Sequence, residues 1–94
     1  MMPETEVLVG GWTMFSCEIN RTAMNVFNTA FEGFVGVKYI PVAVASQLVS
    51  GTNYSFFCNS KAVYPNAPWE PALVDIYAPL EGDPHITQSR RLQP

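Results

Sequence analysis

The apolar residues in the first third of the chain recur with a helical period. From about Ser16 to Glu32 they fall at steps of three and four residues, which places them on one stripe of a helix. Ser16 is a suitable N-cap, and Gly33 or Gly36 supplies a stop signal. The pattern therefore predicts one amphipathic helix of about four to five turns. Its apolar stripe consists of Ile19, Ala23, Val26, Phe27, Ala30, Phe31 and Phe34.

Beyond residue 36 the pattern changes to the alternation of a β-strand. Over residues 37–49, Ile40, Val42 and Val44 alternate with Pro41 and small residues, so we expect one apolar face and one face of small side chains. Pro41 has no amide hydrogen to donate. It therefore predicts a bulge or an edge position at that point of the strand.

A second strand is predicted over residues 52–58, after a break at Ser50-Gly51. Two strands that are separated by a short, glycine-containing break form a β-hairpin. Alternation along the second strand places Cys58 inward, toward the helix, and Phe57 on the opposite face. Residues 59–70 carry prolines and are predicted to form a loop.

The rest of the chain predicts two further strands. Residues 72–78 form a third strand with Val74 and Ile76 inward and Asp75 outward, and residues 85–92 form the last strand. Residues 79–84, which begin and end with proline, are predicted to form the turn between them. A helix followed by such a meander buries its apolar stripe across the inner face of an antiparallel sheet, so the predicted fold class is α+β.

Composition limits the classes of protein to which the chain can belong. Its 94 residues make a single domain, residues 1–94, in which residues 1–9 are predicted to form a flexible N-terminal arm. Apolar residues make up 48%, enough to bury a core, which excludes intrinsic disorder. The apolar runs are too short to cross a bilayer, so no membrane partner is expected. The net charge is −3 and only Arg90-Arg91 forms a basic pair, which argues against nucleic acid as a partner.

The few reactive side chains argue against catalysis. The chain has two cysteines, Cys17 and Cys58, and a single histidine, His85. A cysteine–histidine nucleophile pair also needs an orienting group and a cleft, for which a chain of this size leaves little material. A metal site needs three or four ligands at suitable spacing, which the sequence does not supply. We therefore expect no enzyme, no metal and no cofactor.

The cysteine count and the N terminus bear on the compartment. Two cysteines do not make a disulfide framework, so we expect two reduced thiols that pack as small apolar residues. The acidic N terminus lacks the basic region and the long apolar region of a signal peptide, which favours a cytoplasmic location. The same features fit a mature secreted protein expressed without its leader.

Three short motifs follow one another along the chain. Gln47-Leu48-Val49-Ser50-Gly51 has the pattern Q-x-V-x-G, and Leu8-Val9-Gly10-Gly11 precedes it. Ile76-Tyr77-Ala78-Pro79-Leu80-Glu81-Gly82 comes after it. In type, order and position around a helix, these motifs resemble those of the cystatins, the inhibitors of papain-like cysteine proteases. Leu80 departs from the pattern, because the secreted cystatins carry Trp at this point of their second loop.

The resemblance implies a fold and a mode of action. The implied fold is cystatin-like, with one long helix packed across a curved antiparallel sheet of four to five strands. The three motifs would form a wedge that fills the protease cleft without presenting a peptide bond to the catalytic cysteine. Leu8 and Val9 would occupy non-primed subsites, and Gly10 or Gly11 would turn the chain away from the nucleophile. The segment from Gln47 to Gly51 would be the central contact, and Pro79-Leu80 would brace the primed side.

The implied partner is a papain-like cysteine protease of the cathepsin type. The monomer would be the active form, and the resemblance also implies a domain-swapped dimer that hides the wedge. Independently of this resemblance, a hairpin loop is already ordered in the folded protein, which favours it as the main binding contact. An apolar arm, in contrast, must be ordered on binding. Val49 is expected to lie exposed at the tip of that loop.

Two other interpretations stay open. Taken singly, the motif from Gln47 to Gly51 is an ordinary hairpin turn, and Gly10-Gly11 is a linker. A different class of function is a cystatin-fold module that inhibits no protease. Such a module would bind another protein, or a second copy of itself, through the hairpin or through the outer sheet face that carries Phe57, Leu73 and Tyr77.

Overall fold

The computed structural model describes residues 10–92, which form one α-helix and a four-stranded antiparallel sheet. The strands follow one another across the sheet in sequence order, so the α+β class and the strand meander are confirmed. Leu8 and Val9 lie outside the described residues. The elements are α1 (Arg21–Ala30), β1 (Val37–Val49), β2 (Gly51–Ala62), β3 (Trp69–Ala78) and β4 (His85–Arg91).

The helix is shorter than predicted, with 10 residues, and Ser16 is not its N-cap. The cap is Asn20, whose side-chain oxygen accepts a hydrogen bond from the Ala23 amide at 2.8 Å. Ser16 instead exchanges two backbone hydrogen bonds of 2.9 Å with Val44. Ser16 therefore uses its backbone groups at the sheet edge, and it cannot also begin the helix.

The apolar stripe of α1 packs on the inner face of the sheet, as predicted. Ala23, Val26 and Phe27 are buried, and the rings of Phe27 and Phe56 meet edge to face at 4.9 Å between centroids. Cys58 points inward as predicted and is fully buried. The buried core combines these helix residues with four residues of the sheet, Phe56, Cys58, Val74 and Ile76.

A β-bulge in β1 corrects the predicted faces of that strand. Pairing with β2 shifts between Pro41 and Ala43, at the place where Pro41 predicted an irregularity. The extra residue reverses the alternation, so Ile40 and Val42 do not share the buried face of Val44. Ile40 and Val42 are exposed, whereas Val44 packs against the core.

The other strand boundaries fall close to their predicted positions. β1 and the turn over residues 79–84 have the predicted bounds, and β4 begins at His85 as predicted. The second strand continues past Cys58 to Ala62, because its far half pairs with the first residues of β1 and β3. The predicted loop is therefore shortened to residues 63–68.

The outer edge of β1 is covered by the segment before the helix. Trp12 forms a bridge with Gln47, and the Thr13 amide donates to the Ser46 carbonyl at 2.9 Å. This pairing satisfies backbone groups that an exposed edge strand would leave free. It also attaches the start of the described chain to the strand that leads into the first hairpin.

Candidate functional site at one end of the sheet

The sheet topology brings three distant segments to one end of the molecule. In an antiparallel meander, the β1–β2 turn and the β3–β4 turn lie at the same end, and the β2–β3 loop lies at the other. The β1–β2 turn is the first hairpin loop, Val49–Gly51, and residues 79–84 form the second loop. Gly10 reaches the same end, because its amide donates to the Leu48 carbonyl at 2.9 Å. We call this end, formed by Gly10, Leu48 and the two loops, the rim.

Gly10, which we call the hinge, lies directly beside the first hairpin. Gly10 has a φ of +83°, in the left-handed region that favours glycine, and a Cβ at this position would meet no atom within 4 Å. Backbone conformation, and not crowding, therefore accounts for a glycine here. Gly10, the first of the described residues, lies at the rim.

The side chain of Gln47 is engaged within the protein. Its Nε2 donates to the Gly10 carbonyl at 2.9 Å, and its Oε1 accepts from Asn53 Nδ2 at 2.9 Å. The Gln47 amide thus ties the hinge to both strands of the first hairpin. The side-chain amide of Gln47 makes these hydrogen bonds inside the molecule, and its role in the central contact stays a prediction.

The second loop packs closely against the first at Gly51. Gly51 has a φ of +95°, and an ideal Cβ on it would lie 2.5 Å from the Ala78 carbonyl oxygen and 3.0 Å from the Pro79 Cα. The Tyr77 hydroxyl donates a hydrogen bond to the Ser50 carbonyl. Only glycine permits both this conformation and this approach of backbone to backbone. The structure therefore brings Gly10, Ser50, Gly51 and Pro79 together.

Exposure along the rim partly corrects the sequence expectation. Leu80 is 79% exposed and Leu48 is 45% exposed, so both present apolar surface. Val49 was expected to be the exposed tip, but the structure shows it half-buried. Ser50 is exposed, Gly11 and Pro79 are intermediate, and Gly51 is buried beneath the second loop.

Charges are distributed unequally between the two ends of the sheet. The second loop carries Glu81 and Asp83, both exposed. Four cations lie instead on strand segments near the β2–β3 loop, and they are Lys38, Lys61, Arg90 and Arg91. Arg91 pairs with Glu70 at 3.0 Å. The rim is consequently the more negative end of the described chain.

The two cysteines and the histidine lie in different environments. Cys58 lies in the core, where burial raises the pKa of its thiol to about 12, so it stays protonated and packs as an apolar group at neutral pH. Cys17 is exposed, and the described residues form no disulfide. His85 follows the second loop and its ring meets that of Tyr77 at 5.8 Å.

Two surface depressions lie away from the rim. One, of about 350 Å³, is on the inner face near the β2–β3 loop and includes Tyr39, Tyr64 and the Glu70–Arg91 pair. The other, of about 230 Å³, is on the outer face beneath Trp12 and Phe15.

Within residues 10–92, no group of three or more His, Cys, Asp or Glu side chains is placed to hold a metal ion. No helix over the same residues has the length and apolar character to cross a membrane.

Sequence reasoning missed two residues that shape the rim. Tyr77 was placed in the third motif and on the outer sheet face, and Asn53 was not singled out, yet Asn53 donates a hydrogen bond to Gln47 and Tyr77 donates one to Ser50. A tyrosine two residues before the proline of the second loop was the available signal, but its partner becomes known only with the strand register.

Comparison with protein-family models, curated proteins and solved structures finds no match to this chain. The functional interpretation of the rim therefore depends on its own residues and geometry.

Proposed function

We propose that the protein is a reversible, competitive inhibitor of papain-like cysteine proteases, and that the rim is the surface that fills the protease cleft. The observation that carries this proposal is the meeting of Gly10, the first hairpin loop and Pro79 at one end of the sheet. The three motifs that resemble those of the cystatins lie at residues 8–11, 47–51 and 76–82, well apart in sequence. The strand meander alone places the two hairpin loops at one end, and the hydrogen bond from Gly10 to Leu48 brings the remaining motif to that same end.

The architecture is compatible with a cystatin-like fold. A single helix packs across a meander of antiparallel strands, and the segment before the helix pairs with the first strand of the meander. In the proposal this segment is the fifth strand of the family's sheet. The resemblance implies that Leu8 and Val9, which precede Gly10 in sequence, would bind on the non-primed side of the cleft.

Each part of the rim has a physical role in the proposed complex. The first hairpin loop is held by strand pairing and by side-chain hydrogen bonds, so little of its conformational entropy remains to be lost on binding. Leu80 presents an apolar side chain that a primed-side pocket would bury. In the proposed complex, the left-handed backbone of Gly10 would turn the chain away from the catalytic cysteine.

A titration against papain tests the proposal. Monomer isolated by size exclusion is expected to abolish papain activity at saturation, to compete with substrate and to be recovered uncut. Leu48→Asp is expected to raise the inhibition constant at least about tenfold, because a charge would be forced into the interface. Ile40→Asp is the matched control, since it lies on the same strand with 41% exposure but away from the rim.

Two results would contradict the proposal. Full papain activity at saturating protein would leave the fold intact but remove the inhibitory function, and it would favour a non-inhibitory binding module. An equal loss of inhibition in Leu48→Asp and Ile40→Asp would show that the rim is not the contact surface.

A further inference from the structure

A row of polar and aromatic side chains crosses the outer face of the sheet just below the rim. Strand pairing places Gln47 opposite Asn53, Asn53 opposite Tyr77, and Tyr77 opposite His85. Paired residues in antiparallel strands share a face, so the four side chains stand side by side across four strands. We call this set the rim row. Trp12, which bridges to Gln47, extends it to the segment before the helix.

Members of the rim row hold the rim from below. Gln47 binds the Gly10 carbonyl and Asn53 binds Gln47, each at 2.9 Å. Tyr77 binds the carbonyl of Ser50, a residue 27 positions away in sequence. The rings of Tyr77 and His85 meet edge to face, which limits the directions that the tyrosine can take. One row therefore connects the hinge, the first hairpin loop and the strands on either side of the second loop.

The bond from Tyr77 to Ser50 is the one that reaches the apex of the hairpin. Ser50 is exposed and lies between the paired residues Val49 and Gly51, so strand pairing alone leaves its carbonyl without a cross-strand partner. A hydroxyl from the third strand supplies that partner. Without it, the apex would be held by the pairing of Val49 with Gly51 and by the close packing of Gly51 against Ala78 and Pro79.

We propose that Tyr77 is a positioning residue of the rim, whose hydroxyl holds the Ser50 carbonyl and so keeps the first hairpin loop in the conformation that enters the protease cleft. This inference rests on the proposed inhibitory function. Tyr77 is half-buried beneath the loop and acts through Ser50. Its effect is therefore on the fraction of molecules whose loop is ready to bind.

The positioning role predicts a particular kinetic signature. When only a fraction of molecules is competent, the apparent affinity falls by that fraction, and the loss appears in association. A side chain that touches the partner instead changes mainly the dissociation rate constant. The two roles can therefore be separated by measuring both rate constants for papain.

The test compares Tyr77→Phe with the unmodified protein and with Tyr64→Phe. The phenylalanine keeps the ring against His85 and removes only the hydroxyl. Tyr64 lies in the β2–β3 loop at the opposite end and is 59% exposed, so its hydroxyl serves as the control. Tyr77→Phe is expected to slow association with papain about threefold to tenfold, the loss that corresponds to one hydrogen bond. Dissociation is expected to change little, and amide hydrogen exchange at Ser50 and Gly51 is expected to accelerate.

The outcomes distinguish this inference from the function on which it rests. Unchanged association and unchanged exchange in Tyr77→Phe, with a fully inhibitory unmodified protein, would overturn the positioning role alone. Faster dissociation with unchanged exchange would also overturn it, because Tyr77 would then be a contact residue. No inhibition by the unmodified protein would overturn the proposed function, and the role of Tyr77 in it would fall as well.

Discussion

Phe56→Ala is expected to lower the free energy of unfolding by about 3–5 kcal/mol, a large share of the stability of a domain of this size. Phe56 is fully buried at the centre of the sheet and faces Phe27 of the helix. Its removal leaves a cavity between the two layers, and rigid strands on both sides prevent that cavity from closing. Urea unfolding followed by far-ultraviolet circular dichroism measures the change.

Phe34→Ala is the matched control for Phe56→Ala. Phe34 is 46% exposed and touches Phe31 and Tyr39 at the edge of the core, so its loss removes less buried surface. We expect a decrease of about 1 kcal/mol. Similar losses for the two variants would contradict the placement of the helix across the centre of the sheet.

Gly51→Ala is expected to destabilise the protein by about 2–4 kcal/mol and to weaken papain inhibition as well. The methyl group would force a non-glycine residue into the left-handed region and would also meet the Ala78 carbonyl at 2.5 Å. Relief of this clash requires the two loops to separate. The first hairpin loop and Pro79 would then no longer fit one cleft. Thermal unfolding and the inhibition constant are both measured on the same preparation.

Gly82→Ala separates backbone strain from close packing. Gly82 has a φ of +101°, similar to that of Gly51, but the nearest atom to its ideal Cβ is Pro79 Cγ at 3.8 Å. Only the conformational cost of about 1–2 kcal/mol is expected. If Gly51→Ala costs no more than Gly82→Ala, the two loops do not pack as closely as the structure describes.

Much of the fold followed from local patterns. The apolar stripe from Ile19 to Phe34 predicted a helix that packs on the sheet, because its apolar residues share one face that must be buried; the observed helix is the shorter segment Arg21–Ala30. The bounds of β1 and the turn over residues 79–84 were also predicted, since glycine and proline interrupt the strands there. Pro41 predicted the bulge from its missing amide hydrogen.

The errors arose where distant residues decide the outcome. Ser16 resembles an N-cap, but its backbone pairs with Val44, which is 28 positions further along. Pro41 predicted a bulge, and a bulge reverses the alternation of a strand. The predicted faces did not include this reversal, so Ile40 and Val42 were wrongly placed on the same face as Val44. For Ser16, the capping propensity competes with pairing to Val44, and pairing prevails because it satisfies two backbone groups.

The candidate site was predictable in outline and not in detail. A meander puts alternate turns at the same end, so the meeting of Ser50-Gly51 with Pro79-Leu80 followed from the strand order. The internal hydrogen bonds of Gln47 and Tyr77 could not be foreseen, because they depend on the register of three strand pairs. Register is set by the bulges and turns together, and a shift of one residue would place Tyr77 on the opposite face.

The central claim is that three separate segments act together as one protease-binding surface. Amide chemical shifts of the labelled protein, recorded while unlabelled papain with a blocked active-site cysteine is added, test it most directly. The account predicts that Gly10, the residues from Leu48 to Gly51, and Leu80 are perturbed together in a one-to-one complex, while Val63 at the opposite end is unchanged. Perturbation of a single segment, or of the outer face around Leu73 in place of the rim, would contradict it.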